Sequence, residues 1–265
     1  MNRLKEEVFD DVLREIEASS LFRACIEIPI AYESNFTLRN LFNNDQMQLM
    51  YFAVGIHPGC IDGDTESYNW EKLEELLHDP EYRSIAVGET GLDRTYPDHY
   101  EEQKDAFRRQ IEMAIRYQKP LVLHIRDRRG EESTGDAYSE AFEILREYRE
   151  DVRRCKGVLH CYSGPYDVAQ RYIDEYGFVI GIGGMFTRLG GHLDQTVQKI
   201  PLENIVLETD TPFLMPIGVE TAYNVNTPLN IPYIAEKIAD LKGIQRKTVE
   251  DATYRNALDL LGIQE

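Results

Sequence analysis

The sequence is short of several things, and each shortage narrows the chemistry. Its four cysteines (Cys25, Cys60, Cys155, Cys161) include no CxxC pair, so reduced thiols are the expected state. No run approaches 18 consecutive apolar residues, the least that a membrane-spanning helix needs. The N-terminal stretch MNRLKEEVFDDVLREIEAS is charged and periodic and has no apolar signal-peptide core, which points to the cytosol. Basic residues are scarce: 29 Lys and Arg against 47 Asp and Glu, for a net charge of −18. That balance argues against a large nucleic-acid footprint, which needs Lys and Arg clusters to displace counterions. It leaves room for a small contact at a strand end, where bound cations supply positive charge. Much of the acid falls in helix-like segments such as EKLEELLHDPEY (71–82), which read as solvated faces.

Familiar nucleophile and phosphate signatures are also missing. Ser163 in HCYSG lacks the GxSxG elbow, and the glycines of GIGG (181–184) do not complete GxGxxG. Cys161 directly follows His160; neighbours on a strand point to opposite faces, so the two do not make a Cys–His pair.

What is present is a rhythm. Short apolar, β-rich runs occur at FRACIEI (22–28), MYFAVGI (50–56), SIAVGE (84–89), PLVLHI (120–125), GVLHC (157–161), FVIGI (178–182) and NIVLET (204–209). Segments of helical period lie between them, RRQIEMAIRYQ (108–118) and YSEAFEILREYR (138–149) being clear examples. Strand–helix alternation implies right-handed crossovers and a parallel sheet, and consecutive apolar residues suit strands buried on both faces. No linker, repeat or low-complexity segment splits the chain, so residues 1–265 read as one α/β domain of the TIM-type (β/α) barrel class. Seven strands are visible rather than eight. The helix-like LKEEVFDDVLREIEA (4–18) stands before the first of them with no strand ahead of it, so the first barrel strand reads as missing or altered.

The strand ends carry the chemistry. SIAVG leads into Glu89, PLVL into His124, GVL into His160, IVLET into Asp210, and MYFAVGI into His57. Glu89, His124 and His160 are 35 and 36 residues apart, about one strand–helix unit each. Parallel strands put their C-terminal ends on one rim, so these side chains can converge there. Imidazole and carboxylate ligands suit zinc, manganese, iron or, with fewer imidazoles, magnesium. Each residue alone has an ordinary structural explanation. A histidine at a strand end is commonly just hydrogen bonded, a carboxylate there often caps the next helix, and Asp210 in ETDTP could start a turn before Pro212. Four ligand-type residues at the same end of successive strands argue for a shared metal site. His78, His99 and His192 lie away from strand ends and read as surface residues. Arg126 either binds a substrate phosphate or closes an ion pair with Asp127. The polar loop RDRRGEESTGDAYS (126–139) is a surface insertion or a lid.

In order, GIHP (55–58), GETGLD (88–93), LHIRD (123–127), HCYSG (160–164) and LETDTPFLMP (207–216), with the tail segments PYIAEKIADLKGI (232–244) and YRNALDLLG (254–262), resemble the TatD-related metal-dependent hydrolases, which include DNases. The resemblance runs from about residue 10 to the end. It implies a TIM barrel with a metal centre at its C-terminal rim. It also implies hydrolysis of phosphodiester bonds in DNA, often from an end. By the same resemblance Glu89, His124, His160 and Asp210 bind one or two divalent ions (Mg, Mn or Zn), with Glu89 bridging. From the residues themselves, Asp210 and Glu89 are the candidate catalytic residues, and His57 and Arg126 the candidate substrate-binding residues. Amide or ester hydrolysis, or a barrel that binds metal without catalysis, are the alternative readings.

The departures are specific. No HxH pair occurs anywhere in the chain, although the family's first strand ends in one that binds a metal. Gly59 follows GIHP where the family often has a second histidine, and Val225-Asn226-Thr227-Pro228 replaces the family's Arg-Asn-x-Pro. Without the first strand, two neighbouring strands would be left with unpaired edges. Three explanations compete. The coding start lies inside the true gene; or the 4–18 helix or another subunit covers the gap; or this is a seven-stranded variant with one metal. The abrupt onset of the resemblance favours the first.

Overall fold

Seven of the apolar runs become seven parallel strands, paired in chain order: β1 (Cys25–Glu27), β2 (Met50–Val54), β3 (Ser84–Asp93), β4 (Leu121–Arg126), β5 (Gly157–Leu159), β6 (Val179–Ile182) and β7 (Ile205–Leu207). The computed structural model describes residues 6–19, 22–128, 136–189, 191–221 and 224–264. Helix α1 (Glu6–Ala18) precedes β1, α2 (Trp70–His78) follows β2, and α3 (Tyr100–Tyr117) follows β3. After β4 come α4 (Asp136–Arg146) and α5 (Arg149–Cys155), and after β5 comes α6 (Tyr166–Tyr176). Helices α7 (Phe186–Leu189) and α8 (His192–Lys199) follow β6; α9 (Ile231–Lys242) and α10 (Arg246–Leu261) follow β7.

The two faces of the sheet are both apolar, which explains the unbroken apolar runs. Phe52, Val54, Val87, Leu121, Leu123, Leu159, Ile180 and Ile205 face the helices in the main core. The alternate residues Ala53, Ala86, Val122, Val158 and Val206 form a second, small cluster on the other face. They are small because a curled sheet crowds the side chains on its concave side. Among the described residues no strand pairs with the outer edge of β1 or of β7, so the barrel is open there. Helix α10 packs against the concave cluster through Ala257 and Leu260. Its Asn256 side chain donates to the carbonyls of Leu202 and Ile205 at 2.8 and 2.7 Å, which pins it to the start of β7. Helix α1 buries Phe9, Val12, Leu13 and Ile16 in the helix-side core, with the Phe9 ring 5.7 Å from Phe42. It therefore stays in the outer layer and does not fill the concave side.

The boundaries differ from the sequence reading in an informative way. Most strands are shorter than their apolar runs, but β3 runs on past Glu89 to Asp93. Its register against β4 shifts between Gly88 and Thr90, and the pairing then resumes as Gly91 with His124 and Asp93 with Arg126. Glu89 sits in that irregularity, not at a strand end.

The exit of β2 is held by two buried amides. Asn35 donates to the Gly55 carbonyl at 2.8 Å and accepts the Gly55 N–H at 3.0 Å. Gln110 of α3 accepts the Ile56 N–H at 2.8 Å and donates to the Ile56 carbonyl at 3.2 Å. These bonds fix the backbone that leads into His57. Replacing Gln110 by Leu would leave both Ile56 groups buried and unpaired, and is expected to cost about 1–3 kcal/mol. Urea denaturation checks this, and an unchanged midpoint would contradict it.

Candidate metal centre

Side-chain parity along the strands builds the centre. Residues two apart share a face, so His124 lies above Val122, and Glu208 follows Val206. His160 follows Val158 in the same way, one residue beyond the end of β5. Glu89 reaches the same place from the β3 bulge, a device that re-aims a side chain. The two flanking glycines make this possible. Gly88 (φ 150°) and Gly91 (φ 139°) lie in the region that favours glycine, and a Cβ on Gly91 would stand 2.1 Å from the His124 carbonyl oxygen.

The distances are those of a tight cluster. His124 Nδ1 lies 2.8 Å from Glu89 Oε1, and its Nε2 lies 3.0 Å from Asp93 Oδ2. His160 Nε2 lies 2.9 Å from Asp210 Oδ1 and 3.5 Å from Glu89 Oε1, while its Nδ1 lies 2.7 Å from Glu208 Oε2. Each imidazole thus has one nitrogen toward Glu89 or Asp210 and the other toward a carboxylate behind it. Asp93 is itself fixed, because Thr95 donates its backbone N–H and its hydroxyl to Asp93 Oδ1 at 2.9 and 2.6 Å. The Cys161 N–H donates to Glu208 Oε1. Asp210 has φ 56°, and the loop that carries it is tied by Asn226, which donates to the carbonyls of Thr209 and Phe213. Asn226 is fully buried, so this part of the Val-Asn-Thr-Pro segment shapes the Asp210 loop.

Charge decides the protonation states. Burial works against the His124 cation, but hydrogen bonds to Asp93 and Glu89 outweigh it and push its pKa up to about 9. His160 is raised well above the usual imidazole range: burial opposes this, and Glu208, Asp210 and Glu89 prevail. Glu89 is held far below the usual carboxylate range, because His160, His124 and His57 overcome its burial. Asp93 and Asp210 are also lowered against burial, chiefly by hydrogen bonding to His124 and by the charge of His160 respectively. Burial, with Asp210 adding to it, raises the Cys161 thiol well above normal, so it stays protonated and is no nucleophile.

His57 joins from the end of β2. Its ring lies 4.2 Å from the His124 ring, and its Nε2 is 3.9 Å from Glu89 Oε1. His57, Glu89 and His124 offer ligand atoms that all lie within 4.8 Å of one another, a set that could hold a metal ion. However, His57 Nδ1 accepts the Gly59 N–H at 2.9 Å. Burial, then the neighbouring His124, lowers the His57 pKa to about 4, so the ring is neutral near pH 7. A neutral imidazole carries one proton, and with Nδ1 accepting, that proton sits on Nε2. Nε2 is then a hydrogen-bond donor aimed into the centre.

The donor set fits a divalent cation. Four carboxylates (Glu89, Asp93, Glu208, Asp210) touch two imidazoles, so even with both rings protonated the group keeps an excess of two negative charges. Nitrogen and oxygen donors of this kind are those that zinc and manganese take.

Comparison with known proteins decides the family. The profile of the TatD-related DNases matches residues 3–262. The chain belongs to the TatD-related DNase family. It is 33% identical over 238 residues to an uncharacterized metal-dependent hydrolase of Buchnera aphidicola, covering 87% of this chain and 83% of that one. It is 31% identical over 238 residues to a protein of Klebsiella pneumoniae named 3'-5' ssDNA/RNA exonuclease TatD, covering 84% of each. The fold is that of the TatD homologue YjjV of Escherichia coli, with a TM-score of 0.80 at 24% identity over 97% of this chain and 93% of that one.

The structure brings Glu89, His124, His160, Asp210 and His57 together. Arg126 lies one residue-pair further along β4, at the rim. No ion pair joins it to Asp127 among the described residues; Asp127 accepts the Ala137 N–H at the start of α4 at 3.0 Å. The sequence reading missed Asp93 and Glu208 as partners of the imidazoles. Their signal was there: Asp93 is four residues after Glu89 and Glu208 two before Asp210, each in the same short motif as a candidate ligand. His78 is exposed and His99 partly so, both away from the centre. The His192 side chain and loop residues 129–135 lie outside the described residues.

Because its pKa rises from 6.5 to about 9 on folding, His124 stabilises the metal-free fold fully below pH 6.5, and that contribution fades as pH rises through 9. It amounts to roughly 3 kcal/mol. Denaturation in EDTA from pH 6 to pH 10 is expected to show that loss, and less of it in Asp93→Asn. A flat profile would refute the assignment.

Proposed function

We propose that this chain is a metal-dependent phosphodiesterase that hydrolyses DNA from an end, with Glu89, His124, His160 and Asp210 holding one or two divalent ions (Mg, Mn or Zn). The observation that carries the reading is the excess negative charge buried around two imidazoles at the rim of a TatD-type barrel. The name of the Klebsiella relative supports a phosphodiester as the bond.

A divalent ion held by these residues would lower the pKa of a water and neutralise charge on phosphoryl oxygens. Asp210, ionised and at the mouth of the cluster, takes the proton of the attacking water. Glu89 is placed between both imidazoles and keeps its charge, so it draws the ligands together. His57 donates Nε2–H to a phosphoryl oxygen, which agrees with its neutral ring and its Nδ1 bond to Gly59. Arg126 binds the phosphate from the rim. Asp93 and Glu208 hold the far nitrogens of His124 and His160 and so orient the rings.

The test is direct. Labelled single-stranded DNA is incubated with the protein and Mg²⁺, Mn²⁺ or Zn²⁺, with and without EDTA. End-directed cleavage that EDTA abolishes, and that Asp210→Asn reduces at least a hundredfold, is expected. No cleavage with any of the three ions would leave a barrel that does not act on DNA. Metal analysis of the His124→Ala plus His160→Ala protein is expected to show loss of bound metal, and unchanged content would sink the ligand assignment. Because His124 must give up a proton to bind a cation, metal affinity is expected to rise with pH up to about 9. Calorimetry in buffers of different ionisation enthalpy reads the protons released; none released would contradict the assignment.

A further inference from the structure

We infer that the rim beside the metal centre carries a nucleotide pocket, in which Arg126, Arg128 and Arg94 bind a phosphate and Tyr96 stacks on the attached base. What fills the pocket rests on the phosphodiesterase reading; that it takes a phosphate rests on its own chemistry.

The pocket lies at the C-terminal ends of β3 and β4. Its volume is about 450 Å³, and it is lined by Arg94, Thr95, Tyr96, Pro97, Arg126 and Arg128. That volume is within the range of small-molecule sites. Three arginines in one cavity stand out in a chain with 47 acidic residues and 29 basic ones, and among the described residues no carboxylate lines the cavity. Two hydrogen bonds to backbone carbonyls hold the three close: the Arg94 N–H donates to the Arg126 carbonyl at 2.9 Å, and the Arg128 side chain donates through Nε to the Arg94 carbonyl at 3.4 Å. Arg94 is steadied by Glu140, 3.2 Å away, and by the Tyr100 ring, 5.4 Å from its guanidinium. That contact takes up part of its charge and makes it a fixed wall. Arg126 and Arg128 are exposed, and among the described residues neither is in an ion pair. Guanidinium forks match phosphate oxygens two by two, and that match is lost in lysine.

Two contacts join the pocket to the centre. Thr95 lines the pocket and also holds Asp93, which holds His124. Tyr96 packs over Gly59, whose N–H bonds His57; a Cβ on Gly59 would lie 2.6 Å from the Tyr96 ring. Tyr96 is nonetheless 50% exposed. A large aromatic left half open beside arginines suits a nucleobase, because every base has a face to stack and stacking is tolerant of sequence. Glycine at position 59 is thus what lets Tyr96 lie where it does. A nucleotide in this pocket would sit next to the phosphodiester at the metal centre, so the pocket would hold the neighbouring residue of the strand.

The test uses the full chain, as purified and after EDTA treatment, with thymidine 5'-monophosphate, inorganic phosphate and thymidine as probes, read by calorimetry. Wild-type protein is expected to bind the monophosphate in both states and at least tenfold more tightly than thymidine. Arg126→Ala plus Arg128→Ala is expected to weaken the monophosphate at least tenfold while metal content stays unchanged. Arg126→Lys plus Arg128→Lys is expected to recover only part of the loss. Tyr96→Ala is expected to weaken the monophosphate several-fold and leave inorganic phosphate unaffected, and Tyr96→Phe to bind as wild type. Equal binding of thymidine and its monophosphate, or an unchanged affinity in the double alanine variant, overturns the pocket. If that happens while DNA is still cleaved, the phosphodiesterase reading stands alone. If the monophosphate behaves as stated and no DNA is cleaved with any ion, the pocket stands and that reading falls.

Discussion

Four carboxylates meet two imidazoles at the mouth of the barrel, and almost everything around them exists to make that charge tolerable. Buried carboxylates ordinarily give up their charge by taking protons, because desolvation disfavours the ion. Here the shifts go the other way for Glu89, Asp93 and Asp210, against burial in each case. The two imidazoles make the difference. Each is gripped at both nitrogens, and each is driven to hold a proton that a free imidazole would lose near neutral pH. A proton on each ring and a metal cation at the carboxylates are competing answers to the same excess of negative charge.

The backbone arrangement follows from that requirement. The centre needs a carboxylate between two imidazoles that stand on neighbouring strands, and a regular strand cannot supply one there while pairing continues. The bulge at Glu89 does so, and it requires glycine on both sides, because the β4 backbone passes within contact of Gly88 and Gly91. Past the bulge β3 resumes its pairing with β4 and delivers Asp93 behind His124. One ten-residue strand therefore supplies both the carboxylate in front of His124 and the one behind it. On the other side the pair Glu208 and Asp210 does the same for His160, from a loop that Asn226 holds closed.

The parallel order of the strands and the convergence of Glu89, His124, His160 and Asp210 were legible in the sequence, because apolar runs and their polar terminators repeat at the spacing of a strand–helix unit. Strand ends were less legible. An apolar run records burial, and burial outlasts pairing, so β1 and β7 are shorter than the runs that announced them. The bulge left no periodic mark, and so β3 was read as ending at Glu89. Asp93 and Glu208 were written in the motifs, but a carboxylate that faces an imidazole has the same letter as one that faces solvent. Only the side-chain parity of a completed strand tells them apart. The arginine pocket was half visible through Arg126. Arg94 follows a different strand, and no spacing rule joins it to Arg128.

The acidity of the chain and an anionic substrate look incompatible until distance is considered. At physiological salt an exposed charge is screened beyond about 8 Å. Much of the acid sits at exposed helix positions, for example Glu71 and Glu75 in α2, with exposed Asp79 just beyond it. On the proposed function, a phosphate approaching the rim would meet Arg126 and Arg128, then the Nε2–H of His57, and behind them the candidate metal ligands. The positive charge there is local and small, enough for one or two phosphates and too little to grip a long duplex. On the proposed function, an acidic surface around this basic patch would favour strand ends, because the rest of the polymer is repelled wherever it comes within the screening length. That would be a physical reason for the proposed nuclease to keep so negative a body.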